Sequence, residues 1–144
     1  MKLADSNVWL ALVLAEHEHH ALVSTWFASL SSDNEVAFCR STQLALVRLL
    51  TTRAILKPYS NPPLTNAQAW KFYTELIEDR RMGFVAEPEG LEAYWQLLAT
   101  VQSASPKLWM DAYLAAFAMA GGYRLVTIDK AFSQFQGLDL ELLS

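Results

Sequence analysis

The apolar residues of this 144-residue chain come in two alternating kinds of run. Short, nearly uninterrupted ones occupy Lys2–Ala4, Val36–Cys39, Gly83–Ala86 and Arg124–Ile128, and Leu138–Leu142, where leucine alternates with an acid, is a fifth strand candidate. Between them lie longer segments whose apolar positions recur three and four residues apart: Val8–Ala15, Ala21–Leu30, Ser41–Ile55, Ala67–Arg81, Glu89–Val101 and Lys107–Ala120, with a last helical turn at Ala131–Phe135. A short strand that is apolar at successive positions is buried on both faces, and strands joined through helices pair in parallel. The expected fold is therefore α/β, with a central parallel sheet of about five strands between two layers of helices, formed as one domain over residues 1–144. The punctuation agrees with this division. Asp5-Ser6-Asn7 supplies cap residues, Pro58, Pro62 and Pro63 break the chain, Ser105-Pro106 opens a helix and Gly121-Gly122 closes it. In Ser41–Ile55 the spacing turns Leu44, Val47, Leu49 and Leu50 inward and Arg48 and Arg53 outward.

A chain that is 53% hydrophobic and 18% charged is not disordered. Its single cysteine, Cys39, excludes an internal disulfide. No apolar run approaches the roughly 20 residues of a membrane span. The stretch Val8–Ala15 ends in Glu16 without a cleavage-site context, so a soluble, cytoplasmic protein is expected. The formal net charge of −4 argues against a broad basic surface for nucleic acid. It does not argue against a nuclease, because carboxylates gathered around a metal bias the count negative while the bound ion reverses the local sign.

Ligands of open parallel sheets bind at the carboxyl ends of the strands. Asp5, Glu87 and Asp129 each follow a strand. A further acid, Asp111, lies in Leu108–Met119, a run apolar on every face that is expected to be buried nearly all round. Its one local partner is Lys107. Each acid also has a local role open to it: Asp5 and Asp129 as helix caps, Asp111 in an ion pair, Glu87 in solvent. Local roles do not explain why all four fall where one sheet edge would gather them. Two carboxylates about 5 Å apart repel by roughly 3 kcal/mol at an effective dielectric near 20, so a cluster needs protons or a cation. All-oxygen ligands select Mg²⁺ or Mn²⁺, which suits phosphate chemistry without separating a nuclease from a phosphatase.

Other features are less specific. Glu16-His17-Glu18-His19-His20 lacks the helical His spacing of a zinc site and reads as a solvated loop or helix start. Arg40, Arg48, Arg53, Lys57, Lys107 and Lys130 could meet RNA phosphates or form a solvated face. Of the five tryptophans, Trp9, Trp26, Trp70 and Trp95 sit at helical spacing and read as core or dimer interface. Trp109, two residues before Asp111, could stack on a base.

Asp5-x-Asn7 after the first strand, Asp111-Ala-x-Leu-Ala-Ala in a late helix and Thr127-Ile-Asp129-x-x-Phe132 after the fourth strand resemble the PIN-domain ribonucleases. The length, with Cys39-Arg40-Ser41-Thr42-Gln43-Leu44 and Ser105-Pro106-Lys107-Leu108-Trp109, is similar to the VapC toxins of bacterial toxin–antitoxin pairs, over nearly the whole chain. The resemblance implies a PIN-like sheet and a Mg²⁺-dependent endoribonuclease site. Asp5 and Asp111 would be the principal metal ligands and Asp129 would complete the acid cluster. Asn7 and Thr127 would orient ligands or the scissile phosphate. It also implies a homodimer and a VapB-type antitoxin that blocks the site, often with a basic side chain. One position departs from the family pattern: an acid is usual near the start of the helix after the second strand, and Gln43 stands there. Glu87 is the candidate to supply the missing charge. Three other readings stay open: a catalytically weak PIN-like module that binds RNA or protein, a phosphoryl-acceptor or phosphatase domain (which commonly has a second Asp where Asn7 stands), and a structure-selective DNA nuclease.

Overall fold

The computed structural model describes residues 1–144. Five short strands, β1 (Lys2–Ala4), β2 (Val36–Phe38), β3 (Met82–Phe84), β4 (Arg124–Thr127) and β5 (Leu140–Leu142), form one sheet in the order β3-β2-β1-β4-β5. Every neighbouring pair is parallel. The seven helices are α1 (Ser6–Val13), α2 (His20–Ser29), α3 (Arg40–Leu50), α4 (Arg53–Leu56), α5 (Asn66–Ile77), α6 (Leu91–Ala99) and α7 (Leu108–Gly121). The expected parallel α/β sheet of about five strands is thus what forms. No helix is long and apolar enough to cross a membrane.

The alternation of side chains along the strands divides the core in two. Ala4, Val36, Phe38 and Val126 pack with Val8, Trp9, Val23, Trp26, Leu46 and Leu50 of α1, α2 and α3. Leu3 and Leu125, one residue earlier in β1 and β4, pack with Ala112, Ala115, Ala116 and Phe117 of α7 and with Phe132. Trp9 stacks on Phe38 at 4.5 Å and fixes α1 over the sheet.

Three expectations are corrected. The helix expected over Ser41–Ile55 breaks after Leu50, because the Thr51 hydroxyl bonds the Val47 and Arg48 carbonyls and the Thr52 hydroxyl the Arg48 carbonyl, which ends the ladder. Leu44 of α3 does not face inward: it is 62% exposed, and Leu46 takes the core position. Nor is α7 buried all round. Its residues from Ala112 to Ala118 are covered apart from Tyr113, but Trp109 and Met110 in its first turn are 50% and 60% exposed, and Trp70 on α5 is 54% exposed. A helix packed against a sheet by its middle leaves its end turn without a covering element. The histidine segment forms the entry to α2, where the His20 ring bonds the Ala11 carbonyl at 2.8 Å and His17 stacks on Tyr59.

Candidate active site

The order β3-β2-β1-β4-β5 reverses direction at β1, and a sheet of this kind opens a crevice at the carboxyl ends of the two strands flanking the reversal, here β1 and β4. Asp5 is the residue after β1 and Thr127 the last of β4. The register pairs Ala4 with Val126, and the Asp5 amide still donates to the Val126 carbonyl at 2.9 Å, so Asp5 and Thr127 stand side by side. Asp111 arrives from the other layer. Because α7 runs into β4 through the turn at Gly122, whose positive φ of 70° closes the helix, it crosses the sheet antiparallel to the strands. Its first turn, which carries Asp111, therefore lies over the carboxyl edge.

One hydroxyl connects three of the expected residues. Thr127, fully buried, donates from Oγ1 to Asp5 Oδ2 at 3.1 Å and accepts from Asn7 Nδ2 at 3.4 Å and from the Asp129 amide at 3.0 Å. That uses its one donor and both lone pairs. The other oxygen of Asp5 accepts from the Ser6 amide at 2.7 Å and so caps α1. Asp129 likewise caps the 3-10 turn Lys130–Gln134, through Ala131. The capping roles expected of these two acids are thus present, and each leaves its second carboxylate oxygen out of the cap. The Trp95 indole N–H donates to the Trp109 carbonyl at 3.0 Å and ties α6 to the turn that carries Asp111, a contact for which the sequence offers no signal.

The electrostatics single out Asp5. Burial pushes its carboxyl up from 3.8 to about 6, against the pull of the Thr127 and Ser6 bonds, and the charges of Asp111 and Asp129 add to the rise. Asp111 is raised by burial and by Asp129, and lowered by Lys107. No lysine or arginine forms an ion pair with any of the three, Lys107 included. A cluster of acids whose charges raise one another and that has no ion-pair partner fits a divalent cation, and the donor set is all oxygen. No three acid, His or Cys side chains are gathered closely enough to hold an ion by protein ligands alone.

Gln43 lies in the first turns of α3, only 6% exposed, with its Oε1 accepting from the Arg40 guanidinium. Glu87 stands beyond the end of β3 at the edge of the sheet, exposed, and accepts from the Tyr113 hydroxyl at 3.1 Å. Its charge helps push the Tyr113 phenol up to about 12, while the carboxylates that act on Asp5 are Asp111 and Asp129. Thr127 thus joins Asp5, Asn7 and Asp129, Asp111 acts on Asp5 through its charge, and the contact shown for Glu87 is with Tyr113.

A family model described as the PIN domain matches residues 2–138. The chain is 50% identical over 145 residues to a Mycobacterium tuberculosis protein named Ribonuclease VapC41, covering 100% of this chain and 99% of that one. Among solved structures, Mycobacterium tuberculosis VapC20, described as a sarcin-ricin loop cleaving toxin, superposes with a TM-score of 0.68 at 17% identity over 96% of this chain and 98% of that one. VapBC2 from Rickettsia felis, solved bound to a DNA fragment from its promoter, superposes with a TM-score of 0.67 at 14% identity over 99% and 98%. At such identities the structural likeness shows the fold.

Proposed function

The chain belongs to the PIN-domain family, and from that premise we propose that it is a metal-dependent endoribonuclease toxin of the VapC type, acting in the cytoplasm and neutralised by a VapB-type antitoxin. The observation that carries the reading is the unneutralised acid cluster of Asp5, Asp111 and Asp129 at the sheet's reversal point. Asp5 and Asp111 would hold Mg²⁺, or Mn²⁺, with Asp129 acting beside them. Such an ion supplies a polarised phosphoryl oxygen and a water nucleophile for in-line attack on the RNA backbone. The protein's own part is orientation. Thr127 and the Ser6 amide fix both oxygens of Asp5, Asn7 and Asp129 are held by the same hydroxyl, and the positive ends of α1 and α7 lie under Asp5 and Asp111. An antitoxin that places a basic side chain among these acids would occupy the site.

Purified protein is expected to cut cellular RNA into discrete fragments with Mg²⁺ present. Chelation, Asp5→Asn or Asp111→Asn should each remove the fragments. A folded wild type inert on all RNA would favour the alternative, a PIN-like binding module. Glu87→Gln tests the remaining acid: an unchanged Mg²⁺ affinity assigns Glu87 to the support of Tyr113, and a clear loss returns it to the metal site.

The exposed apolar side chains support a homodimer. Leu44, Trp109 and Met110, with Trp95 and Tyr113, line one open groove of about 580 Å³ between α3 and the α6–α7 pair. The patch has knobs and a hollow on the same surface, as a two-fold contact requires. Wild type is expected to elute as a dimer, and Leu44→Glu with Met110→Glu as a folded monomer. A monomeric wild type would reject this contact.

A further inference from the structure

We infer that Arg40 is an RNA-phosphate-binding residue of this site and that Gln43 is the neutral side chain that positions it, an inference that rests on the endoribonuclease reading above. Arg40 is the first residue of α3, two residues after the end of β2, and so stands at the carboxyl edge of the sheet. Its Nη1 donates to Gln43 Oε1, and its guanidinium lies over the Phe84 ring, 4.9 Å from the centroid, at the end of β3. Both partners are neutral. Lys2, Arg80, Arg81 and Arg124 are in ion pairs with carboxylates; the other lysines and arginines are in none, and of these Arg40 is the one held by a neutral side chain and a ring, on a helix with no acidic residue. The residue is exposed, held by these two contacts, and its charge has no ion-pair partner. A guanidinium in that state binds an anion without first giving up a partner or its rotamer freedom.

The anion in reach follows from the topology. Neighbouring strands are about 4.8 Å apart, so a group above β2 and β3 stands roughly one to two strand spacings from Asp5 at the end of β1. A single-stranded RNA whose scissile phosphate lies at Asp5 and Asp111 would pass its flanking backbone across this edge. A glutamate at position 43 would pair with Arg40 and neutralise it. Glutamine keeps the acceptor for Nη1 and leaves the charge to the substrate. The neutral residue at this position is thus more than a missing metal ligand.

Binding of a fluorescent single-stranded RNA would be measured in the full chain carrying Asp5→Asn, so that affinity is read without cleavage. Adding Arg40→Ala is expected to weaken binding on the order of tenfold and to reduce the slope of log K against log salt by about 0.7, the signature of one lost phosphate contact on a single strand. Arg40→Lys should restore the slope and part of the affinity. Gln43→Glu should weaken RNA binding as Arg40→Ala does. In the cleaving protein Arg40→Ala should raise KM more than it lowers kcat and leave Mg²⁺ affinity unchanged. Unaltered RNA affinity and salt slope in Arg40→Ala would overturn the proposal, including where binding of an acidic protein segment falls instead. So would a Gln43→Glu protein that binds Mg²⁺ tighter and cuts faster. Loss of cleavage in all forms, with Arg40-dependent RNA binding intact, would sink the nuclease reading and spare this one.

Discussion

Asp5→Asn protein is expected to lose RNA cleavage by at least about a thousandfold, roughly 4 kcal/mol of barrier, and yet to melt higher than wild type at pH 7 without divalent metal. The loss follows from removing a metal ligand. The gain follows from the direction of the Asp5 shift. Its carboxyl is raised from 3.8 to about 6 in the folded protein, so the fold binds this proton more tightly than the unfolded chain does. The associated stability is fully present below pH 4 and is lost as pH rises through 6, about 3 kcal/mol in all. Asparagine stays neutral throughout, caps α1 as well as aspartate does, and keeps an acceptor for Thr127. The variant should therefore melt several degrees higher at pH 7 and match wild type near pH 4. Mg²⁺ should raise the melting temperature of wild type and not of the variant. Thermal scans at the two pH values check this, and a variant that melts lower than wild type at pH 7 would show that Asp5 is not held against its own ionisation.

Thr127→Val should lower kcat/KM by about 10–100-fold, the usual cost of removing a residue that orients a metal ligand. Valine fills the same volume without the hydroxyl. It leaves the Asp129 amide without its acceptor, frees the Asn7 amide and removes the shorter of the two side-chain bonds to Asp5, one that favours its ionised form. Both freed donors lie near the surface where water can meet them, so stability should fall by less than the roughly 1–3 kcal/mol of a buried unpaired donor. Asp5 should then titrate higher still, which weakens Mg²⁺ binding most at pH 6 and least above pH 8. Serine at 127 restores the hydroxyl and should recover most of the activity. Equal Mg²⁺ affinity for wild type and Thr127→Val across that range would dismiss the role given to the hydroxyl.

The parts of the site that could be read in the chain are those fixed by local rules. An acid directly after an apolar strand stands at the carboxyl edge whatever the rest of the protein does, which is why Asp5 and Asp129 were visible. Asp111 was visible as a charge in an apolar run. The resemblance of the ordered motifs to PIN-domain ribonucleases then gave these acids a common purpose. What was misread has one cause. In α3, α5 and the first turn of α7, apolar spacing identified a helix but not which side of it would be covered, so Leu44, Trp70 and Met110 were not distinguishable from Leu46 and Trp26.

Sequence alone determined the strand and helix succession, the parallel sheet and the acids that end its strands, because burial on two faces and capping act over a few residues. Only the tertiary structure decided that Thr127 would serve Asp5, Asn7 and Asp129 with one hydroxyl, that Tyr113 would take Glu87, and that Arg40 would rest on Gln43 and Phe84. Most of these contacts join residues far apart in the chain, and they depend on the strand order. A sheet that reverses at β1 sets β4 beside it and leaves β3 at the edge, and no local property of the sequence specifies that choice.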